Sequence, residues 1–313
     1  MAIFEIEKGK AKRVRLSEFK LEKDLQRLVE NNLGIIFNCQ LIASEFSTGN
    51  IHLGRIDTLA ISEDDNPVII EYKKVASSDL INQSLYYLHW IKDHKGDFQI
   101  AANRALGKDI KVDWSDVRVI CLAPEYKKYD LHAVQVMGAS IELWQYKIYE
   151  NGVLSIDEVY KRTASVSNQD VQDFNGKNPI MVEAGKKAAL TRKTATYSIE
   201  EHYENLDDNI LDLFNTVRDY IVTLDSLIEE IPKKNYIAYK TIQNFVCLQT
   251  YKKKLTLYLK LNADEVNPMP KQGRDVKEIG HFGTGNFEIT IKDMIDFEDT
   301  KHLINEAYKN IGG

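Results

Sequence analysis

The sequence predicts an α/β domain, a mixed sheet flanked by helices, followed by a smaller α+β domain. Three observations carry this. Strand-like and helix-like segments alternate over residues 1–160. Residues 161–200 turn to Ser, Thr, Asn, Gln, Lys and Ala with little apolar periodicity, as a linker does. Residues 201–313 then open on a helix, continue as strands and close on a helix. A chain of 313 residues suits two domains of roughly 100–200 residues better than one core.

In order, residues 1–17 read as a short strand or hairpin. Residues 18–33 read as a helix, because Leu21, Leu25, Leu28, Val29 and Leu33 recur at three- and four-residue spacing. Residues 35–47 supply a strand. Arg55 to Ile61 and Val68 to Lys74 are strands, joined by the turn formers Ser62-Glu63-Asp64-Asp65-Asn66-Pro67. Residues 78–94 form a helix, and 97–101 and 117–123 further strands, the second apolar enough to be central. A helix near 127–136 and strands near 140–149 and 153–159 complete the domain. Within the linker, 179–190 has the composition of a short helix.

In the second domain, a helix near 200–231 carries Tyr203, Leu206, Ile210, Leu213, Phe214, Val217, Ile221 and Leu224 and stops at Pro232. Strands follow at 236–240, 244–249, 255–261 and 287–291, with a helix near 299–309. The glycine-rich Gly280-His281-Phe282-Gly283-Thr284-Gly285 precedes a strand, whereas a dinucleotide or P-loop site would follow one into a helix, so it reads as a turn. Tyr236, Tyr239, Tyr251 and Tyr258 interleave with lysines; base-stacking and a tyrosine-bearing sheet core both explain them.

Composition narrows the class. Hydrophobic residues at 43% and charged residues at 28% describe a soluble globular protein. No apolar run approaches the ~18 residues a membrane span needs. The basic stretch near the start has no apolar segment behind it, so a cytoplasmic protein without secretory signal is expected. Cys39, Cys121 and Cys247 lie far apart without CxxC spacing, as buried thiols in a reducing compartment would. The net charge of −6 does not favour a nucleic-acid partner, since phosphate is bound by Lys and Arg. A carboxylate active site adds negative charge, however, and basic segments such as Lys8-Gly9-Lys10-Ala11-Lys12-Arg13, Lys186-Lys187, Arg192-Lys193 and Lys252-Lys253-Lys254 could form a local groove or simply a solvated surface.

The chemistry concentrates in the hairpin. Glu71 and Lys73 alternate on one strand and so share a face. Thirteen residues separate Asp57 from Glu71, enough for two short strands and a turn, so Asp57 can stand beside them. Two carboxylates with the main-chain carbonyl of Tyr72 make an all-oxygen site, which suits Mg²⁺ or Mn²⁺. Lys73 can orient or deprotonate an attacking water, or neutralise charge on a phosphate. Taken alone, D-x13-E-x-K also matches an exposed strand end with a solvated salt bridge. Ile69 and Ile70, directly before Glu71, argue otherwise: a charge leaving a buried strand is costly unless paired or metal-bound. On the following helix Gln83 and Tyr87 stand four residues apart on one face.

Gly54-Arg55-Ile56-Asp57, Val68-Ile69-Ile70-Glu71-Tyr72-Lys73 and Gln83-x-x-x-Tyr87 together resemble the RecB-like branch of the PD-(D/E)xK nucleases. Residues 1–160 resemble the endonuclease domain of archaeal mismatch-type endonucleases, and the tail resembles a small domain of unknown function. The resemblance implies a restriction-endonuclease-like fold, a Mg²⁺-dependent nuclease and DNA as substrate. It implies that Gln83 and Tyr87 line the active site near substrate, and that an acidic residue on the first helix assists the metal. Glu22, beside the apolar stripe, is favoured over Glu30, further round toward solvent. Ile56 stands where the family's name has Pro, a position of variable type. Arg55 could contact a phosphate or form a structural salt bridge. A catalytically silent binding module with the same fold is the alternative; the presence of Asp57, Glu71 and Lys73 together favours the enzyme. A homodimer is in keeping with two nicks on a duplex.

Overall fold

The computed structural model describes residues 2–49, 54–76, 79–137, 141–160 and 197–313. Two compact units result, Met1–Ala195 and Thr196–Gly313, each considered by itself. The expected helix at 179–190 and almost all of the expected linker lie outside the described residues.

The first unit begins with a two-stranded hairpin, β1 (Phe4–Glu7) and β2 (Lys10–Arg13). Its seven-stranded sheet comprises β3 (Leu16–Ser17), β4 (Cys39–Ser47), β5 (Arg55–Ser62), β6 (Pro67–Tyr72), β7 (Arg118–Ala123), β8 (Ile141–Tyr149) and β9 (Leu154–Tyr160). The order is β3-β8-β7-β6-β5-β4, with β9 also paired to β8. β6, β7 and β8 are parallel and the remaining pairings antiparallel, so the sheet is mixed as expected.

Helices cover both faces of this sheet. Ile69, Val119 and Cys121 pack against α3 (Asp79–Asp93) and α4 (Lys95–Leu106) through Leu80, Tyr87, Trp90 and Phe98. Val68, Ile70, Ile120 and Leu122 pack instead with Leu25 and Val29 of α1 (Glu22–Asn31) and Leu33 of α2 (Leu33–Ile36). β6 is therefore buried at every position. That is the pattern of a strand with helices on both sides, and it leaves Glu71 no solvent-facing side. α5 (Lys128–Met137) connects β7 to β8. At the start of β7 and β8 a buried ion pair joins the two strands: Arg118 Nε and Nη2 donate to Glu142 Oε1 and Oε2 at 2.7 and 3.0 Å.

Three expectations need correction. Residues 97–101 are helical. Their alternating pattern belongs to a longer Ala-containing segment whose Phe98 and Ala102 bury at i, i+4 spacing, and which ends at Gly107 in the left-handed conformation of a C-terminal cap. The stripe of α1 is rotated from the expected one: Leu25, Gln26 and Val29 are buried, whereas Leu21 is exposed and Leu28 sits at the edge of exposure. The long helix near 200–231 is instead α6 (Glu200–Tyr203), α7 (Asp208–Thr223) and a strand, β10 (Glu229–Pro232). Asp207 takes the N-cap position of α7 in extended conformation, and Pro232 ends an edge strand, where its missing N–H costs no ladder bond.

The second unit is α+β as expected. β10, β11 (Ile237–Lys240), β12 (Asn244–Tyr251), β13 (Lys254–Leu259), β14 (Gly273–Asp275) and β15 (Phe287–Ile291) form an antiparallel sheet in the order β10-β11-β12-β13-β15-β14. α7 and α8 (Met294–Asn310) bury one face through Leu213, Phe214, Phe297 and Leu303. α8 begins five residues before the expected 299, because Asp293 caps it by accepting from the Ile295 and Asp296 amides. On the other face Tyr236, Cys247, Tyr258 and Val276 form a small cluster, with His281 stacked on Tyr258 at 4.4 Å. Of the four tyrosines only Tyr251 is exposed; the other three are core residues and offer no open stacking platform. All three cysteines are buried thiols. Among the described residues no helix is long and apolar enough to cross a membrane.

Candidate active site

The ladder between β5 and β6 stops at Thr58 and Ile70. One residue further on, the side chains take over the backbone's role. The Asp57 amide donates to Glu71 Oε1 at 3.1 Å, and the Tyr72 amide donates to Asp57 Oδ2 at 3.2 Å. Each carboxylate thus caps the opposite strand, and the two acids are held face to face where the strands part. This point lies at the carboxyl ends of the parallel strands β6 and β7, the edge at which open α/β sheets bind ligands.

Burial dominates the electrostatics of the two carboxylates. Glu71 is fully buried, and its Oε2 has no hydrogen-bond partner. Burial and the adjacent Asp57 charge push its carboxyl up to about 9. Burial also raises Asp57, against the lowering effect of the Tyr72 amide. The pair therefore holds a proton near neutral pH, on the more deeply buried Glu71. An oxygen that is neither solvated nor bonded costs free energy, on the order of 1–3 kcal/mol. A divalent cation between the carboxylates would remove that cost and displace the proton.

Among the described residues no three His, Cys, Asp or Glu side chains come together as a full metal cage. Asp57 and Glu71, with the Tyr72 carbonyl as a further candidate, are the oxygen donors that could hold a divalent ion here. Mg²⁺ is commonly held in this way, through one or two carboxylates with retained waters.

Lys73 follows at the strand end. Its amide donates to the Leu122 carbonyl at 3.0 Å, and its Nζ lies 3.3 Å from Glu22 Oε1. Glu22 Oε2 accepts from the Lys74 amide at 3.1 Å. Glu22 therefore joins the site by holding Lys73. Glu30 does not contact Lys73; half-buried, its Oε1 accepts from Thr58 Oγ1 at 2.7 Å and Gln26 Nε2 at 2.9 Å, part of a network that includes the Tyr72 hydroxyl.

Gln83 and Tyr87 meet each other and the strand that carries Asp57. Gln83 Nε2 donates to the Tyr87 hydroxyl at 3.2 Å. That hydroxyl donates to the Arg55 carbonyl at 2.8 Å and accepts from the Arg55 amide at 3.0 Å. In this arrangement Tyr87 fixes the backbone two residues before Asp57. Gly54 is needed for this contact, since a Cβ there would stand 2.8 Å from Tyr87 Cε1 and 2.9 Å from Thr48 Oγ1. Gly54→Ala is accordingly expected to lower stability by about 1–3 kcal/mol, read as a fall in the thermal unfolding midpoint.

Arg55 is exposed, and its Nε pairs with Glu45 Oε2 at 2.5 Å. Two supporting residues escaped the sequence reading. Gln26, nearly fully buried, donates from Nε2 to the Asp57 carbonyl at 2.7 Å. It is legible in hindsight as the residue one turn after Glu22. Glu45 takes a left-handed φ of 55° within β4, and Lys23 and Arg55 hold its carboxyl below the usual range. Strain of this kind is concentrated at functional sites, but nothing in the local sequence announces it.

Comparison with known proteins gives two kinds of result. A family model described as a domain of unknown function, DUF5655, matches residues 199–311. An uncharacterised protein of Haemophilus influenzae is 30% identical over 319 aligned residues, covering 99% of this chain and 100% of that one. Two solved structures overlap the fold in part. A repair endonuclease from Pyrococcus abyssi shares 18% identity over 42% of this chain and 49% of its own, with a TM-score of 0.25. EndoMS in complex with double-stranded DNA shares 15% identity over 46% of this chain and 64% of its own, with a TM-score of 0.30. Both overlaps are distant and fall short of two thirds of those proteins, so what the site can do rests on its own atoms. The full-length match is of another order: this chain belongs to the same family as the Haemophilus influenzae protein and carries a DUF5655 domain at its C-terminal end.

Proposed function

We propose that the first unit is a Mg²⁺- or Mn²⁺-dependent nuclease that hydrolyses phosphodiester bonds, with DNA as substrate. The observation that carries this is the unpartnered, buried Glu71 Oε2 beside Asp57 at the carboxyl end of β6. A structural salt bridge would satisfy both carboxylates; this pair is left one positive charge short.

Asp57 and Glu71 would hold the divalent ion, which when bound would polarise a phosphoryl oxygen and acidify a water. The chain's residues do the rest. Lys73, held by Glu22, presents an ammonium toward the same strand end, where it orients the attacking water or neutralises the phosphate. Gln26 and Tyr87 lock the backbone on either side of Asp57, so the carboxylate does not have to be ordered when substrate arrives. Arg55, exposed and beside Glu45, can exchange its carboxylate partner for a phosphate.

The test is cleavage of single-stranded, double-stranded and branched DNA with Mg²⁺ or Mn²⁺. Asp57→Ala and Lys73→Ala are each expected to reduce the rate by at least about 10³-fold while the far-ultraviolet circular dichroism is unchanged. A wild type that cuts none of these substrates would instead favour a silent binding module, and variants that cut as fast as wild type would remove these residues from the chemistry.

A further inference from the structure

The β1–β2 hairpin is the one two-stranded sheet of the described residues, and the proposed hydrolysis makes no use of it. All eight of its strand residues are exposed, Phe4 and Ile6 to 54% and 75%. Its turn places Lys8 at φ 49° and Gly9 at φ 79°, the two-residue geometry whose twist matches that of the strands. A two-stranded ribbon without a covering layer is marginal in water, so this one is built to be held by something else.

Its charge indicates what. Residues 2–15 carry Lys8, Lys10, Lys12, Arg13 and Arg15 against Glu5 and Glu7, a net +3 on a chain of net −6. Cross-strand pairing sets Glu5 against Lys12 and Glu7 against Lys10, so the acids are confined to β1. Lys8 in the turn, Arg13 opposite Phe4, and Arg15 have no acid across from them, so the turn and the base of the ribbon carry the excess positive charge.

The root of the hairpin leaves the sheet at the same end as the candidate active site. Tyr72 is level with Leu122 and Trp144 across the parallel strands, and β8 runs five residues beyond Trp144 to Tyr149. Leu16 pairs with Tyr149 in antiparallel sense, so the chain before Leu16 leaves the sheet at the edge where Glu71 and Lys73 lie. Three strand spacings sideways and five residues along put the root of the hairpin about 20 Å from the site. A turn of duplex DNA is about 34 Å, so a duplex that ran from the site toward the hairpin would meet it within one turn.

We propose that the β1–β2 hairpin is a nucleic-acid-binding ribbon whose β2 edge and Lys8 turn contact the phosphate backbone of a duplex engaged at the Asp57–Glu71 site. This rests on the nucleic-acid reading of that site. The test uses the full chain, a fluorescein-labelled DNA duplex of about 30 base pairs and EDTA, so that binding is read without turnover. Replacing Lys8, Lys10 and Lys12 together by Ala is expected to weaken binding at least tenfold. It should also reduce the slope of log K against log salt by about 2–3, since each lost phosphate contact removes about 0.9. The triple Arg replacement should bind as wild type, which separates charge from folding. If the hairpin-dependent binding is seen while wild type cuts nothing, the nuclease reading fails and the ribbon stands. Three results would overturn the ribbon: a wild type that does not bind the duplex, an unchanged affinity and salt slope in the Ala variant, or an effect of the Ala variant on sedimentation alone, which would mark a surface between copies of the chain.

Discussion

Glu71→Gln is expected to make the metal-free protein more stable and to abolish both metal binding and cleavage. In the unfolded chain a glutamate ionises near 4.3, whereas burial and the Asp57 charge push the folded Glu71 up to about 9. Folding therefore takes up a proton at intermediate pH. Because the folded value is the higher, the stability this group contributes is fully present below the unfolded value and is lost as pH rises toward about 9. At pH 7–8 the wild-type side chain holds the fold below what a neutral group would allow. Gln removes that penalty and fits the site: its oxygen can still accept from the Asp57 amide, and its NH₂ replaces the unpartnered oxygen facing the Asp57 carboxylate. The gain is on the order of 1–3 kcal/mol and should widen between pH 5 and 9 in thermal unfolding curves. Adding Mn²⁺ should raise the wild-type midpoint and leave the variant unmoved, because only a state that binds the ion is stabilised by it. A variant no more stable than wild type at pH 8 would mean that Glu71 is already ionised and paired.

The second large effect lies away from the chemistry. Arg118→Ala is expected to cost about 3–5 kcal/mol, because it leaves the Glu142 carboxylate in a buried position without the guanidinium that neutralises it. Trp144 Nε1, which donates to Glu142 Oε2 at 3.0 Å, cannot compensate a full charge. For a unit of this size the midpoint should fall by on the order of 10 °C. Arg118→Met with Glu142→Leu should be far milder than Arg118→Ala, since a pair replaced together leaves no bare charge. The pair joins β7 to β8 at the end opposite the site, so any loss of cleavage should follow the loss of folded protein.

How far the sequence reveals this depends on the range of the interaction. The Asp57, Glu71 and Lys73 positions follow from strand alternation and one turn, both local. The helix carrying Gln83 and Tyr87 follows from apolar spacing. What the spacing does not show is that Tyr87 spends its hydroxyl on the Arg55 backbone, or that Gln26 bonds to the Asp57 carbonyl thirty-one residues away. Those contacts are set by tertiary packing. Residues 97–101 illustrate the reverse failure. Five residues of alternating polarity satisfy a strand pattern, and only the Gly107 cap and the Ala-containing remainder of the helix show that they belong to α4. Glu45 lies beyond any local pattern: its left-handed backbone falls in β4 between the pairs Ser44–Thr58 and Phe46–Ile56.

Metal binding by the carboxylate pair is the claim on which the rest depends, and calorimetric titration of Mn²⁺ into the full chain tests it most directly. One site should appear in the wild type, its heat varying with the ionisation enthalpy of the buffer because Glu71 releases its proton, and it should vanish in Glu71→Ala. A wild type that binds no Mn²⁺, or a Glu71→Ala variant that binds it unchanged, would contradict the account.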